Sequence, residues 1–225
     1  NVAALKDYWK DSRIPVNYEG RYCGLWALDF GARAQAWISL LSGFRGHGYG
    51  AADLWLFKST YDMAKPSRNE VEHISVEMKH TPWRKALEFD SANQMRHFRR
   101  FFSRIAWWRL EPDFGEGKFF KPAAGVSGAY ACAAMGKTIS IVYFFGKKSA
   151  ATGNFIGLHP GAKYSLERFN PRTGAGDTLG DVAASSEGFV AVPPRPDTED
   201  WVYQIMLLNH SDKIRAPLPI IDFTK

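Results

Sequence analysis

The hydrophobic period of this chain changes once, and that change limits what it can fold into. Up to about residue 113, short β-prone runs alternate with helical ones. Ile14 to Glu19 reads as a strand, with Pro15 confined to its first residues or to an edge. Ala32 to Leu41 reads as a helix that stops at Ser42-Gly43. Phe44 to Gly50 carries glycines at 46, 48 and 50 and suits a strand-to-loop path where backbone or ligand approaches closely. Asp90 or Ser91 is placed to cap a helix from about Ala92 to Ile105, whose apolar face is Met95, Phe98, Phe102 and Ile105. After Gly128 the runs become short, β-prone and separated by turn residues: Ala129–Ala134, Thr138–Phe145, Lys163–Asn170, Gly188–Val192 and Trp201–Leu208. Such a series describes an antiparallel β-sandwich. Phe114 to Gly128, with four glycines and Pro122, reads as the linker. The expected domains are therefore residues 1–113, a linker over 114–128, and a sandwich over 129–225.

The first unit poses a physical problem. Two strand–helix units cannot close a barrel or bury both faces of a parallel sheet. The expectation is that a missing N-terminal segment, or a second chain, supplies the remaining strands. The isolated piece would otherwise expose a large apolar patch. Lys58 to Thr81 is polar, carries turn residues, and reads as a long loop or insertion.

Composition removes several function classes. The formal charge is +6, and the acidic residues are interspersed among the basic ones, so no continuous basic stripe for nucleic acid is present. The densest basic run, Arg96-His97-Phe98-Arg99-Arg100 with Arg104, has helical spacing and reads as one solvated face. No apolar run is long enough to cross a membrane as a helix. Neither Cys23 nor Cys132 belongs to a metal-spaced set, and the histidines show no ligand spacing. The Gly-rich run lacks the ending of a phosphate loop and is not a dinucleotide fingerprint. No cofactor is expected. The chain starts at Asn1 with no signal peptide, which suggests processing, trimming or an internal start. The aromatic content is high, with 16 Phe, 9 Tyr and 8 Trp, and such rings serve both as core and as stacking platforms for sugars.

Glu19 stands where a strand gives way to a loop, flanked by Tyr18 and Tyr22. That is how a (β/α)8 barrel holds a reacting carboxylate, although a strand-end glutamate is also commonly just solvated. Tyr22 is placed to hydrogen-bond Glu19 or line a sugar site, and simple packing remains open. Trp26 is a stacking candidate, Trp37 a core residue, and Trp55 either a pocket wall or core. Arg33 lies near the start of its helix, where a cation opposes the macrodipole, so it needs a buried ionic partner or a path to solvent. Alternation puts His47 and Tyr49 on one side, either toward the barrel mouth to meet sugar hydroxyls or as a satisfied core pair. Asp177, in GAGDTLGD, suggests a turn, with calcium a distant alternative.

Beyond single residues, a set of fragments runs in a fixed order: RIPVNYEGRY, RAQAWISLLSGFRGHGYG with the Leu54-Trp55 pair, Trp83 with Ala86-Leu87, Gln94-Met95, and WWRLEPDF. Together they resemble the last quarter of the catalytic barrel of apiosidase-like glycoside hydrolases. The segments IVYFFG, FNPRTG and FVAVPPRPDTEDWVYQIML resemble the β-sandwich fused behind that barrel, once labelled collagen-binding. The resemblance covers nearly all of the chain except about 58–81. It implies an α/β fold made of the last βα units of a (β/α)8 TIM barrel, followed by a small antiparallel β-sandwich. It implies a retaining glycosidase acting on an oligosaccharide or polysaccharide, in an extracellular or periplasmic setting. Glu19 matches the nucleophile on strand seven, and GHGYG matches the strand-eight loop, with Tyr22, Trp26, His47, Tyr49 and Trp55 around the substrate. The acid/base carboxylate belongs to strand four and is expected outside this segment. Cys23 stands where the family usually has a carboxylate. The alternative is a non-catalytic carbohydrate-binding or structural protein with a degenerate barrel.

Overall fold

The computed structural model describes residues 6–9, 18–19, 29–51, 54, 83–123, 130–145 and 152–208. Its first unit is a strand–helix–strand piece. Strand β1 (Tyr18–Glu19) pairs in parallel with β2 (His47–Gly48), and helix α1 (Asp29–Leu41) connects them. The stop of α1 is a Schellman motif, in which the Phe44 N–H reaches the Ser39 carbonyl and the Gly43 N–H reaches that of Leu40. Gly43 occupies the left-handed region at φ +96°, and the Trp9 ring of the helical turn over residues 6–9 packs against it, so no side chain fits there.

The short helix α2 (Trp83–Ala86) leads into α3 (Asp90–Phe102). The expected side-chain cap is absent. Phe89 is the N-cap residue, and Asp90 begins the helix, where its charge favours the N-terminal dipole. Ser91 is fully buried instead. The basic run behaves as read, with Arg96, Arg99 and Arg100 exposed and Phe101 and Phe102 buried.

The second unit has two antiparallel sheets. One has six strands, in the order β3 (Glu111–Pro112), β5 (Tyr130–Met135), β6 (Ile139–Phe144), β11 (Trp201–Leu207), β8 (Lys163–Phe169) and β9 (Gly176–Ala183). The other has three: β10 (Val190–Val192), β7 (Gly153–Phe155) and β4 (Phe120–Pro122). Residues 120–122 of the stretch read as a linker thus form a strand of this unit. Asp113, fully buried, follows β3 and accepts backbone N–H groups from Gly117 at 3.1 Å, Lys118 at 2.6 Å and Phe119 at 2.8 Å. Its carboxylate satisfies the donors of a glycine-rich turn and delivers the chain into β4. Asp177 lies in β9 rather than in a turn, and its carboxylate accepts from Arg168 at 2.8 Å. Among the described residues no cluster has the makings of a metal site.

The central strands of the six-stranded sheet are buried on both faces. Along β6, Ile139, Ile141 and Tyr143 join one core with Trp37, Leu40 and Leu41 of α1 and Phe101 and Phe102 of α3. The intervening Val142 and Phe144 join a second core with Phe120, Phe155, Val190 and Val192 of the three-stranded sheet. The two-residue period of a strand serves two different partners. The result is three layers: helices, six strands, three strands. Trp37 is the hub of the helix-facing core, stacked on Tyr143 at 5.6 Å and meeting Phe101 edge-on at 5.0 Å.

A buried ionic network crosses this interface. Arg33 of α1 donates from Nε to Asp200 Oδ2 at 2.7 Å and from its second terminal nitrogen to Oδ1 at 2.8 Å. Its remaining terminal nitrogen donates to Gln94 Oε1 of α3 at 2.6 Å, and the Tyr143 hydroxyl donates to Asp200 Oδ2 at 2.8 Å. Arg33 has the buried ionic partner that its position in α1 called for. Burial, then the neighbouring Asp200 carboxylate, push the Tyr143 hydroxyl well above its usual range, so it stays a donor.

Removing either ion from a buried pair strands the other, at a cost of about 3–5 kcal/mol. Arg33→Ala and Asp200→Ala should each lower the unfolding free energy by about that much in denaturant titrations. Asp177→Ala, which breaks the exposed pair with Arg168, should cost under about 1 kcal/mol. Equal losses at the two sites would contradict the network's central place.

Candidate active site

The β1–β2 register decides which residues share a face. Tyr18 stands opposite His47, and Glu19 opposite Gly48. Tyr49 follows His47 on the helix-facing side. Tyr22, Trp26 and Trp55 lie outside the described residues, as does 58–81.

His47 and Tyr49 share one side, as the alternation predicts, and among the described residues that side meets helices. His47 Nδ1 lies 3.2 Å from Ser39 Oγ of α1, and the Tyr49 hydroxyl lies 2.8 Å from Ser91 Oγ of α3. The Ser39 hydroxyl donates its single proton to the Gln35 carbonyl. It therefore accepts from His47, which assigns the proton to Nδ1. Burial lowers the His47 pKa from 6.5 to about 4, so the imidazole is neutral at pH 7. These two side chains tie β2 to the helices that flank it. The sequence pattern identified their common side but not its neighbour, because a neighbour eight or forty-two residues away is set by packing.

The described residues also form a cleft of about 310 Å³ on the helix-facing side. Leu40, Met95, Phe98, Phe102 and Trp107 supply apolar walls, while Arg45, Arg99 and Ser103 supply polar groups, with His47 and Tyr49 at its edge. Arg45 and Arg99 were not singled out as a pair from the sequence. Fifty-four positions separate them, and only the packing of β2 beside α3 brings both to one cleft.

Residues 15–109 match the family model of the apiosidase-like catalytic domain. Among solved structures, one described as a glycoside hydrolase is similar with 17% identity and a TM-score of 0.64, over 93% of this chain and 47% of that chain. Another, a glycoside hydrolase family 5 protein from Bacteroides vulgatus ATCC 8482, is similar with 17% identity and a TM-score of 0.63, over 88% of this chain and 41% of that chain. No curated protein matches. The chain spans less than half the length of these two structures. The likeness shows the fold: a partial, barrel-like α/β segment, matched to the apiosidase-like catalytic domain, followed by a separate β-sheet region.

The lowered pKa of His47 has a measurable consequence. In the unfolded chain the imidazole takes up its proton near pH 6.5, and in the fold only near pH 4. Protonation between these values favours the unfolded chain. The stability linked to His47 is intact above about pH 6.5 and is lost as the pH falls toward 4. Allowing for its partial exposure, the loss is on the order of 1 kcal/mol. His47→Gln should flatten the fall in unfolding free energy between pH 7 and pH 4 by that amount. Parallel curves for the two proteins would refute the assignment.

Proposed function

We propose that the chain contributes the nucleophile strand of a retaining glycoside hydrolase that cleaves an oligosaccharide or polysaccharide. The observation that carries the reading is the parallel pairing of β1, ending at Glu19, with β2, inside the segment that matches the apiosidase-like catalytic domain. In this reading Glu19 attacks the anomeric carbon and forms a glycosyl-enzyme. A second carboxyl group, about 5–5.5 Å away and supplied from outside this segment, protonates the leaving oxygen and then activates water. Closeness of the two charges separates their pKa values, so that one is ionised while the other holds its proton. Tyr22, Trp26 and Trp55 are the aromatic groups proposed to line the sugar. His47 and Tyr49 hold β2 against the helices through Ser39 and Ser91, and their remaining polar edges are proposed to meet sugar hydroxyls. No cofactor enters this chemistry. An extracellular or periplasmic location fits a polymeric substrate.

The architecture also bears on the alternative of a glycan-binding sheet module. The central strands of the six-stranded sheet are covered, by α1 and α3 on one side and the three-stranded sheet on the other, while β9 is largely exposed.

Glu19→Gln keeps the shape and removes the charge. In the complete enzyme it should bind oligosaccharide nearly as well as the parent and turn over about a thousandfold more slowly. A fluorinated activated glycoside should label the peptide spanning Ile14 to Arg21. Near-normal turnover of the variant, or a label on another carboxylate, would remove Glu19 from the mechanism.

A further inference from the structure

The cleft between β2, α1 and α3 is not used by the proposed glycosidase chemistry. It lies on the helix-facing side of β2. Among the described residues its lining holds two guanidinium groups, Arg45 and Arg99, and no aspartate or glutamate.

Arg45 is the unusual member. Its guanidinium lies 5.3 Å from the centre of the Trp9 ring, a cation–π contact. Among the described residues it has neither a hydrogen bond to an acceptor nor an ion pair. Burial lowers its pKa, with no opposing carboxylate to raise it. An arginine does not give up its proton in a protein. The partly exposed charge therefore persists, and among the described residues no carboxylate pairs with it. Arg99, in the last turn of α3, adds a second cation at the rim of the same cleft.

The rest of the lining limits the ligand. Most of it is hydrocarbon: Leu40, Phe98, Phe102 and Trp107 offer rings and methyl groups. At about 310 Å³ the space is at the small end of the range for organic ligands, and its walls give an inorganic oxyanion few donors beyond the two arginines. We propose that the cleft binds a small apolar carboxylate, its anion held by Arg45 and Arg99 and its hydrocarbon part packed on Phe98, Phe102 and Trp107.

Phenylacetate is a suitable probe, and phenylacetamide is its uncharged counterpart of the same shape. Titration of the protein, followed by calorimetry, should show saturable binding of phenylacetate and at least about tenfold weaker binding of the amide. Arg45→Gln and Arg99→Gln should each weaken phenylacetate by about tenfold, with the fold of each variant checked by near-ultraviolet circular dichroism. Arg99 is exposed, so its variant keeps the test valid should Arg45→Gln unfold. Glu19→Gln should leave this binding unchanged, which separates the cleft from the glycosidase reading. Absence of saturation up to about 10 mM, equal binding of acid and amide, or indifference to both arginine substitutions would overturn the proposal.

Discussion

The bidentate pair between Arg33 and Asp200 is the interaction on which the arrangement of the two units depends. It joins residues 167 positions apart, and both side chains are buried. A charge buried this deeply is tolerated only when its donors and acceptors are filled. Gln94 and Tyr143 join it, one from α3 and one from the six-stranded sheet, and Arg172 lies 3.6 Å from Asp200 Oδ1. Helix, helix and sheet are thereby placed by one hydrogen-bonded group. Hydrocarbon contacts around Trp37 supply more of the burial, but they are less directional, and related packings would fill the same volume. The fork of Arg33 accepts few geometries.

This lock gives the β-sheet region a mechanical part in the candidate site. Helix α1 lies between β1 and β2 in sequence, and one of its faces is pinned to the six-stranded sheet. His47 and Tyr49 carry the constraint onward, through Ser39 and Ser91, to the strand beside Glu19. A strand pair of two residues each has little cooperativity of its own. Its placement is borrowed from the helices, and theirs from the sheet. The same packing shows why the two units are not beads on a flexible string: the stretch from Glu111 to Pro122 enters both sheets and is closed on itself by Asp113.

The sheet region was legible where its residues alternate strongly. The runs around Ala131, Ile141, Leu166 and Ile205 are strands within one or two residues of the bounds read from the pattern. Strands β4, β7 and β9 were not. Phe120-Lys121-Pro122 and Gly153-Asn154-Phe155 are too short for a period, and β9 is largely exposed and carries Gly176 and Gly180. Their strand character comes from pairing partners and not from intrinsic preference. Glycine even has a positive use here. A Cβ at Gly153 would lie 2.4 Å from the Lys121 carbonyl oxygen, so β7 approaches β4 only because the side chain is missing.

By itself the sequence determined the alternation of strand and helix before residue 113, the β-rich character after it, the stop of α1 at Gly43, the core role of Trp37 and the common side of His47 and Tyr49. Each of these depends on local period or backbone freedom, which neighbouring residues encode. Tertiary structure alone decided that His47 and Tyr49 face helices, that Arg33 finds Asp200, that Arg45 and Arg99 share a cleft, and that the central strands of the six-stranded sheet are covered twice. Those outcomes depend on contacts between residues far apart in the chain. A pattern of apolar and polar positions says that a face will be buried, but not what will bury it.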